Sequence, residues 1–439
     1  MYSLIENRQI RVFVSSTFQD MKAERDYLMR IAGGKPLLIV LYGINQLADD
    51  ESGEAKLLNW LPSVPKGCKM LFSTLEDDGT METFRRRGYP VFRLEPLDND
   101  RRRELVADYL RRFGKKLSPQ QTARIADDPE IRNTLVLRTL LDELVCFEVH
   151  EELDARIDYY LAAESIRDFF QRVLQRAEND YGREIVRDAA ALIAVSDSGM
   201  SETELLGMTH ILPLQWSAFY CAFSTHFTVK NGLVNFSHRY LREAAAARYL
   251  APQQEAEFRK RIIGHFEPLL QSAGNGSFAR EVDADGPYRE KGTETRIWNE
   301  LAHQYYSMHM NRELHALVLR PEVFDHFYKG NVGRLVSIWQ QLRSGGFTLD
   351  DYLADERQAG EYYYNTGYFS YQYFREYHSA INAYNKALKL YRNMDRNVSI
   401  SFNSLVADTL NDLGNIHRDL KDYISAKKSI TKHLRYTDI

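Results

Sequence analysis

Residues 35–47 read "KPLLIVLYGINQL", a consecutive aliphatic run that feeds a tight polar turn. A run this apolar predicts a central strand of a parallel sheet, buried on both faces. The pattern then alternates to about residue 97. Strand "PLLIVLY" precedes a helix near "EAKLLNWL", strand "KMLFSTL" precedes "METFRRRG", and strand "YPVFRL" precedes "NDRRRELVADYLRRF". Aliphatic strands separated by short amphipathic helices predict βαβ units. Pro62, Pro65 and Gly67 punctuate the loop before the second strand. Three strands make only part of a sheet. Upstream, "IRVFVSS" and "QDMKAERDYLMR" read as one strand and one helix, a pair too small to hold a core. That segment must dock elsewhere or stay loose.

After Gly114 the chain turns helical. Ser118-Pro119-Gln120-Gln121 carries an N-cap serine, proline at the first helical position and glutamine at the third, a capping-box start. Ile166, Phe169, Phe170, Val173, Leu174 and Ala177 share one face of a helix. Ser201 and Glu204 open another helix by the same capping logic. In "HFTVKNGLVNFSH", Asn231-Gly232 between two β-type runs predicts a type I′ hairpin, and "RYLREAAAARYL" continues as helix. Helices followed by a hairpin predict a winged-helix module at about 166–250. Residues 251–350 read as loops ("SAGNGSF", "EVDADGPYREKGTE") among irregularly spaced helices, with no chemical assignment.

The last 80 or so residues hold a degenerate repeat. "YYYNTGYFSYQYFREYHSAINAYNKALKLY" and "VADTLNDLGNIHRDLKDYISAKKSITKHL" place Gly367 and Gly414 in first helices, and Ala380 and Ala426 in second ones. Small residues at matched positions let paired helices approach closely, as stacked helical hairpins require. The glycine-to-alanine spacing is one residue longer in the first copy, which predicts a one-residue insertion there.

The totals bound the function classes. A chain of 439 residues exceeds one compact core and suggests roughly three domains. A net charge of −4 gives no global attraction to nucleic acid. The arginine triplets at 85–87 and 101–103, without interleaved aromatics, read as solvated helix ends. Cys68, Cys146 and Cys221 are isolated, against a disulfide framework or a zinc site and in keeping with a reducing cytoplasm. The start, "MYSLIENRQIRVFVSS", has no apolar signal core, and no apolar run is long enough to span a bilayer. A cytoplasmic protein without membrane contact is expected.

A phosphate loop needs G-x-x-x-x-G-K-S/T, so that backbone amides and the lysine cradle phosphates while the hydroxyl meets Mg²⁺. Gly34-Lys35 has Met29 at the first glycine position, is followed by Pro36, and feeds a strand. The chain has no P-loop. At the strand end, where an ATPase places a carboxylate for Mg²⁺, stands Tyr42, a phenol neutral at pH 7. Asp49 and Asp50 beyond the turn read as loop acids. Ser73 and Thr74 end the next strand, positioned either to sense a γ-phosphate or to cap backbone groups. His238 precedes a helix and either donates to a phosphate or caps and packs. "VHEELD" lacks the second histidine of a metalloprotease motif, and no local nucleophile set assembles. The tyrosine-rich "EYYYNTGYFSYQYF" is a recognition face or the glue between repeat helices. Tyr364, Asn365, Tyr368, Asn411 and Asn415 are the candidate protein-binding residues.

Several motifs in order resemble one family. "IRVFVSSTFQDMKAERDYL" is similar to the SSTF-type N-terminal module of many STAND signal-transduction NTPases. "LLIVLYGINQL…LLNWLPSVPKGCKMLFSTL" resembles the Walker B and sensor strands of the nephrocystin-3 and telomerase-associated-protein type. "NTLVLRTLLDELVCFEVHEELDARIDYYL" and "LVNFSHRYLREAAAARYL" resemble its lid and winged helix, and the C-terminal repeats its tetratricopeptide repeats. The resemblance implies α/β plus all-α architecture: a partial parallel P-loop-type sheet, a helical lid, a winged helix and TPR-like hairpins. The implied segments are 1–30 (module remnant), 31–100 (nucleotide-binding remnant), 101–165 (lid), 166–250 (winged helix), 251–355 (helical linker) and 356–439 (repeats). It further implies an ATP-gated switch, with ATP or ADP and Mg²⁺ in intact relatives. By position, Tyr42 stands for the Walker B aspartate, Ser73 and Thr74 end the sensor strand, Thr134 replaces the lid proline, and His238 matches the phosphate-sensing histidine.

The departures are large. "RDYLMR" passes directly into "IAGGKPLLIV", where the family has a long segment containing its phosphate loop, so an internal deletion near Arg30/Ile31 is inferred. Three readings remain: a working ATP/ADP-gated switch, a nucleotide-incompetent adaptor acting through its repeats, and a non-functional internally deleted fragment. The adaptor is preferred, because phosphate loop, lysine and acid are lost together. No cofactor is expected. The expected partner is a protein on the repeats, with self-association or pairing with full-length relatives as further options.

Overall fold

A computed structural model describes residues 11–13, 37–41, 43–44, 58, 68–76, 79–147, 149–274, 292–348, 360–393 and 400–437. It is mostly helical with small sheets, and divides into two compact units, one of residues 94–314 and one of 1–93 with 315–439.

The second of these units contains the sheet. β1 (Arg11–Phe13), β2 (Leu37–Leu41) and β3 (Cys68–Phe72) are parallel in the order β1-β2-β3, with Leu37 opposite Cys68 and Leu41 opposite Phe72. The aliphatic run is thus the central strand. The isolated upstream strand docks on its free edge, Val12 opposite Ile39. "YPVFRL" forms no strand. Pro90 lacks a ladder N–H, and Tyr89 turns back onto Phe72 and Phe84 (ring centroids 5.7 and 5.6 Å). Phe92 and Leu94 are left exposed. α1 (Gly79–Arg86) follows β3 as expected. The helices read at "QDMKAERDYLMR" and "EAKLLNWL" lie outside the described residues.

The 94–314 unit opens with α2 (Asn99–Arg112), α3 (Pro119–Asp127), α4 (Thr134–Cys146) and α5 (Leu153–Leu161). The Ser118/Gln121 capping box forms in both directions. Within the 101–103 triplet, Arg102 is buried rather than solvated, because its guanidinium reaches the carbonyl of Asp128 and the side chain of Asn99. Next come α6 (Ile166–Tyr181), α7 (Arg183–Val195), α8 (Glu202–Met208) and α9 (Pro213–Ala222). The hairpin β4 (Phe227–Lys230) and β5 (Leu233–Phe236) leads into α10 (Arg239–Tyr249). Asn231 and Gly232 both take positive φ, 52° and 76°, as the I′ turn demands. Met200 adds a short bridge to Val234, made possible by Gly199, whose absent Cβ would sit 2.4 Å from the Val234 carbonyl oxygen. The fully buried Ala244 and Ala245 bring α10 against α6 and α7. α11 (Pro252–Gly274) and α12 (Gly292–Ser307) complete the unit. The loop "EVDADGPYREKGTE" falls mainly outside the described residues.

α13 (Asn311–Val318) leads into three antiparallel helix pairs. They are α14 (Pro321–Gly330) with α15 (Val332–Ser344), α16 (Gly360–Phe374) with α17 (Tyr377–Asn393), and α18 (Ile400–Asp419) with α19 (Tyr423–Thr437). The last two are the predicted repeats. Gly367 packs so tightly that a Cβ there would lie 3.0 Å from the Tyr384 ring, and one at Gly414 would lie 2.9 Å from Ile430. The insertion is visible in the turns. Arg375 and Lys421 both have positive φ, yet the Glu376 N–H reaches back six residues to Ser370 O, whereas the Asp422 N–H reaches back five, to His417 O.

Candidate protein-interaction surface

The first helices of the three pairs, α14, α16 and α18, lie side by side. Phe324 of α14 meets Tyr362 and Phe369 of α16 edge-on, and Lys329 joins Asp325 to Glu361. Between α16 and α18, the Tyr364 hydroxyl donates to Asp412 (2.9 Å) and the Tyr371 hydroxyl to Asp419 (2.6 Å). Along α16, Tyr364, Tyr368 and Tyr371 fall at i, i+4 and i+7, which puts them on one face of the helix.

Asp412 is the chemically distinctive member. It is half-buried, accepts from Tyr364 and from Tyr384 (3.4 Å), and has no cationic partner among the described residues. Burial pushes its carboxyl above the usual range; the two phenols oppose this and Asp408 adds to it. A carboxylate held by neutral donors lacks the counter-charge that buried acids normally have. Tyr364 and Tyr384 are pushed up by burial and by the same aspartate. The second helices carry the opposite charge. α17 and α19 contain no acidic residue, and Lys389, Lys428 and Lys432 line a groove of about 360 Å³ between them and α18.

Of the five candidate protein-binding residues, Tyr364 and Tyr368 are half-buried on α16, Asn411 is exposed and Asn415 half-exposed on α18. Asn365 is buried at 8% exposure, with Nδ2 3.5 Å from Asp325 Oδ1. The sequence did not single out Asp412, since its role depends on phenols far away in the chain.

The nucleotide-position residues divide between the units: Ser73 and Thr74 in one, Thr134 and His238 in the other. Tyr42 lies outside the described residues. Ser73 Oγ accepts the Gly43 N–H (2.8 Å), and the Ile44 N–H donates to the Ser73 carbonyl, so the residue ties the ends of β2 and β3. Thr74 Oγ1 pairs with Thr80 Oγ1 at 2.6 Å. Thr134 is the first residue of α4, behind an Asn133 cap. His238 caps α10: its Nδ1 accepts the Leu241 N–H (3.3 Å), its ring lies 4.5 Å from Phe170, and burial lowers its pKa to about 4. Its Nε2 is buried without a hydrogen-bond partner.

One network escaped the sequence altogether. Glu143 on α4 forms a fork with Arg176 on α6 (2.6 and 2.7 Å) and accepts from Tyr160 of α5 and His226 ahead of the hairpin. Although burial opposes ionisation, these donors hold its pKa at about 2. The three partners are 17 to 83 residues from Glu143, so no local spacing signals them. No group of metal-ligating side chains occurs among the described residues, and no helix there is long and apolar enough to cross a membrane.

No protein-family profile matches the chain. It is 26% identical over 242 residues to a TPR repeat-containing protein of Dictyostelium discoideum, covering 53% of this chain and 14% of that one. It is 28% identical over 247 residues to tetratricopeptide repeat protein 41 of Homo sapiens, covering 47% and 18%. Telomerase protein component 1 of Mus musculus matches at 26% over 175 residues, covering 38% and 6%. The chain therefore spans under a fifth of the length of these relatives. A solved structure, a STAND protein with a tetratricopeptide repeat sensor from Pyrococcus horikoshii, aligns over 92% of this chain and 62% of its own, at 13% identity and a TM-score of 0.33. Two of these sequence relatives, those of Dictyostelium discoideum and Homo sapiens, are described as tetratricopeptide repeat proteins.

Proposed function

We propose that the chain is a protein-interaction scaffold of STAND type, working through its helical repeats without hydrolysing ATP. The carrying observation is the tyrosine–aspartate face of α14, α16 and α18, where Asp412 is half-buried with no cationic partner among the described residues. A partner supplying Lys or Arg side chains there would offset a charge that the fold leaves uncompensated. The order of motifs supports the nephrocystin-3-like reading of the chain, and the Met200–Val234 bridge beside the β4–β5 hairpin supports a winged helix at 166–250.

The positions that match nucleotide contacts do not suit a triphosphate. Ser73 and Thr74 spend their hydroxyls on strand-end contacts, and the sequence offers neither a phosphate loop nor an acid at residue 42. His238 keeps one ring nitrogen, Nε2, buried without a hydrogen-bond partner.

Affinity capture tests the scaffold reading. The full chain should enrich defined partners that Asp412→Asn and Tyr368→Ala each weaken about tenfold, a loss of roughly 1.4 kcal/mol. An identical partner set with identical recovery in both variants would remove this reading.

A further inference from the structure

The chain carries 61 acidic residues and a net charge of −4, yet its helices α17 and α19 contain none. Both contribute to the groove of about 360 Å³ that they form with α18. The floor of this groove is closed by the buried Leu388, Leu410 and Leu413. Its sides carry Lys389 from α17 and Lys428 and Lys432 from α19, all three exposed. Among the described residues no acid lines the groove, and no acid pairs with these lysines. Asp422, just ahead of α19, is already taken up: it accepts the Ser425 N–H (3.1 Å) and faces His417 Nδ1 (3.7 Å). Like charges gathered without a counter-charge repel, and an anionic occupant relieves that repulsion.

The spacing of the donors says what kind of anion fits. On α19 the lining residues Ser425, Lys428, Ser429 and Lys432 fall at i, i+3, i+4 and i+7, so they share one face. Lys428 and Lys432 are one helical turn apart, about 5–6 Å between Cβ atoms, and Ser425 and Ser429 repeat that step beside them. In an extended peptide, side chains at alternate positions point the same way and lie roughly 6.5 Å apart. The two repeats match closely enough for successive acidic side chains to meet successive lysines. We infer that the α17–α18–α19 groove binds an extended acidic segment of a protein partner, with carboxylates at alternate positions. Two carboxylates pair with Lys428 and Lys432 and accept from the serine hydroxyls between them. Lys389 closes on the segment from the opposite wall. The closed leucine floor leaves little apolar surface, so charge and spacing, rather than buried side chains, select the occupant. None of the lining residues belongs to the tyrosine–aspartate face, so this inference does not rest on that one.

The test titrates the full chain into a fluorescein-labelled nonapeptide of alternating serine and glutamate, followed by fluorescence anisotropy at low salt. Saturable binding is expected, weakened by added salt, by about fivefold in Lys428→Gln with Lys432→Gln and by about twofold in Lys389→Gln. An isomeric peptide with its glutamates in adjacent pairs should bind severalfold more weakly, because neighbouring side chains of an extended chain point to opposite faces. Glutamine keeps the helix propensity of lysine at these exposed positions, which circular dichroism checks; Lys389→Gln carries the test if the double variant does not fold. Asp412→Asn, which disables the scaffold face, should leave the peptide affinity unchanged, so the two surfaces stand or fail separately. Binding unaffected by the lysine substitutions, or equal binding of the isomer, overturns the proposal. Inorganic tripolyphosphate binding more tightly than the alternating peptide, and lost with the same lysines, also overturns it, since the occupant would be a small polyanion. So does light scattering that shows the unliganded chain to be an oligomer which the double lysine variant dissolves, since the occupant would then be a second copy.

Discussion

His238 makes the capping and packing contacts that one of its two sequence readings allowed. Its Nδ1 is the acceptor that caps α10, so the neutral ring carries its proton on Nε2, the nitrogen without a partner. Charging the ring would destroy the acceptor, consistent with a pKa lowered to about 4 by burial. The linkage follows from that direction. The unfolded state binds the proton more tightly, so the contribution of His238 to stability is present above pH 6.5 and lost as pH falls toward 4. His238→Asn keeps an N-cap acceptor but removes the titration. The stability difference between wild type and variant in urea should therefore shift toward the variant between pH 7 and pH 4.5. A difference independent of pH would contradict this. Such caps, like the Ser118/Gln121 and Ser201/Glu204 boxes, are legible in sequence because donor and acceptor are three residues apart. The Glu143–Arg176–His226 network is not, because distant segments meet only after folding.

At the scale of elements, the two repeat glycines test close packing against helix propensity. Glycine costs a helix interior roughly 0.5–1 kcal/mol relative to alanine. At Gly367 that gain is outweighed, since the added methyl meets the ring of Tyr384, which is fully buried and has nowhere to move. Gly367→Ala should destabilise by about 1–3 kcal/mol. At Gly414 the obstacle is Cγ1 of Ile430, a 43% exposed side chain on a partner helix that can yield by a small shift toward solvent. Gly414→Ala should be neutral or stabilising by up to about 1 kcal/mol. Thermal denaturation of the two variants separates these outcomes, and equal losses would show that Ile430 is as constrained as Tyr384. Both glycines stand out in the sequence but cannot be told apart there, because the difference lies in what covers the neighbouring residue.

For the whole molecule, residues 94–314 form one compact unit and residues 1–93 with 315–439 the other. The sheet has the parallel order expected of βαβ units, but its outer strand comes from residues 11–13 rather than from 89–94. On the scaffold reading, isothermal calorimetry of the full chain with ATP or ADP and Mg²⁺ should give no heat of binding at millimolar nucleotide, and denatured protein should release no adenine nucleotide. Stoichiometric ADP in the purified protein would favour the switch reading instead.

Local information settled much of this protein. The aliphatic run fixed the central strand, Asn-Gly fixed a hairpin turn, serine caps fixed helix starts, and paired small residues fixed where repeat helices touch. Each depends on neighbours within one element or on a period. Only the tertiary structure decided that Arg102 and Asn365 are buried, that Asp412 sits between two phenols with no cationic partner among the described residues, and that Tyr384 is covered where Ile430 is partly exposed. Burial and counter-charge are properties of what lies across from a residue, and that is set by the packing of distant segments.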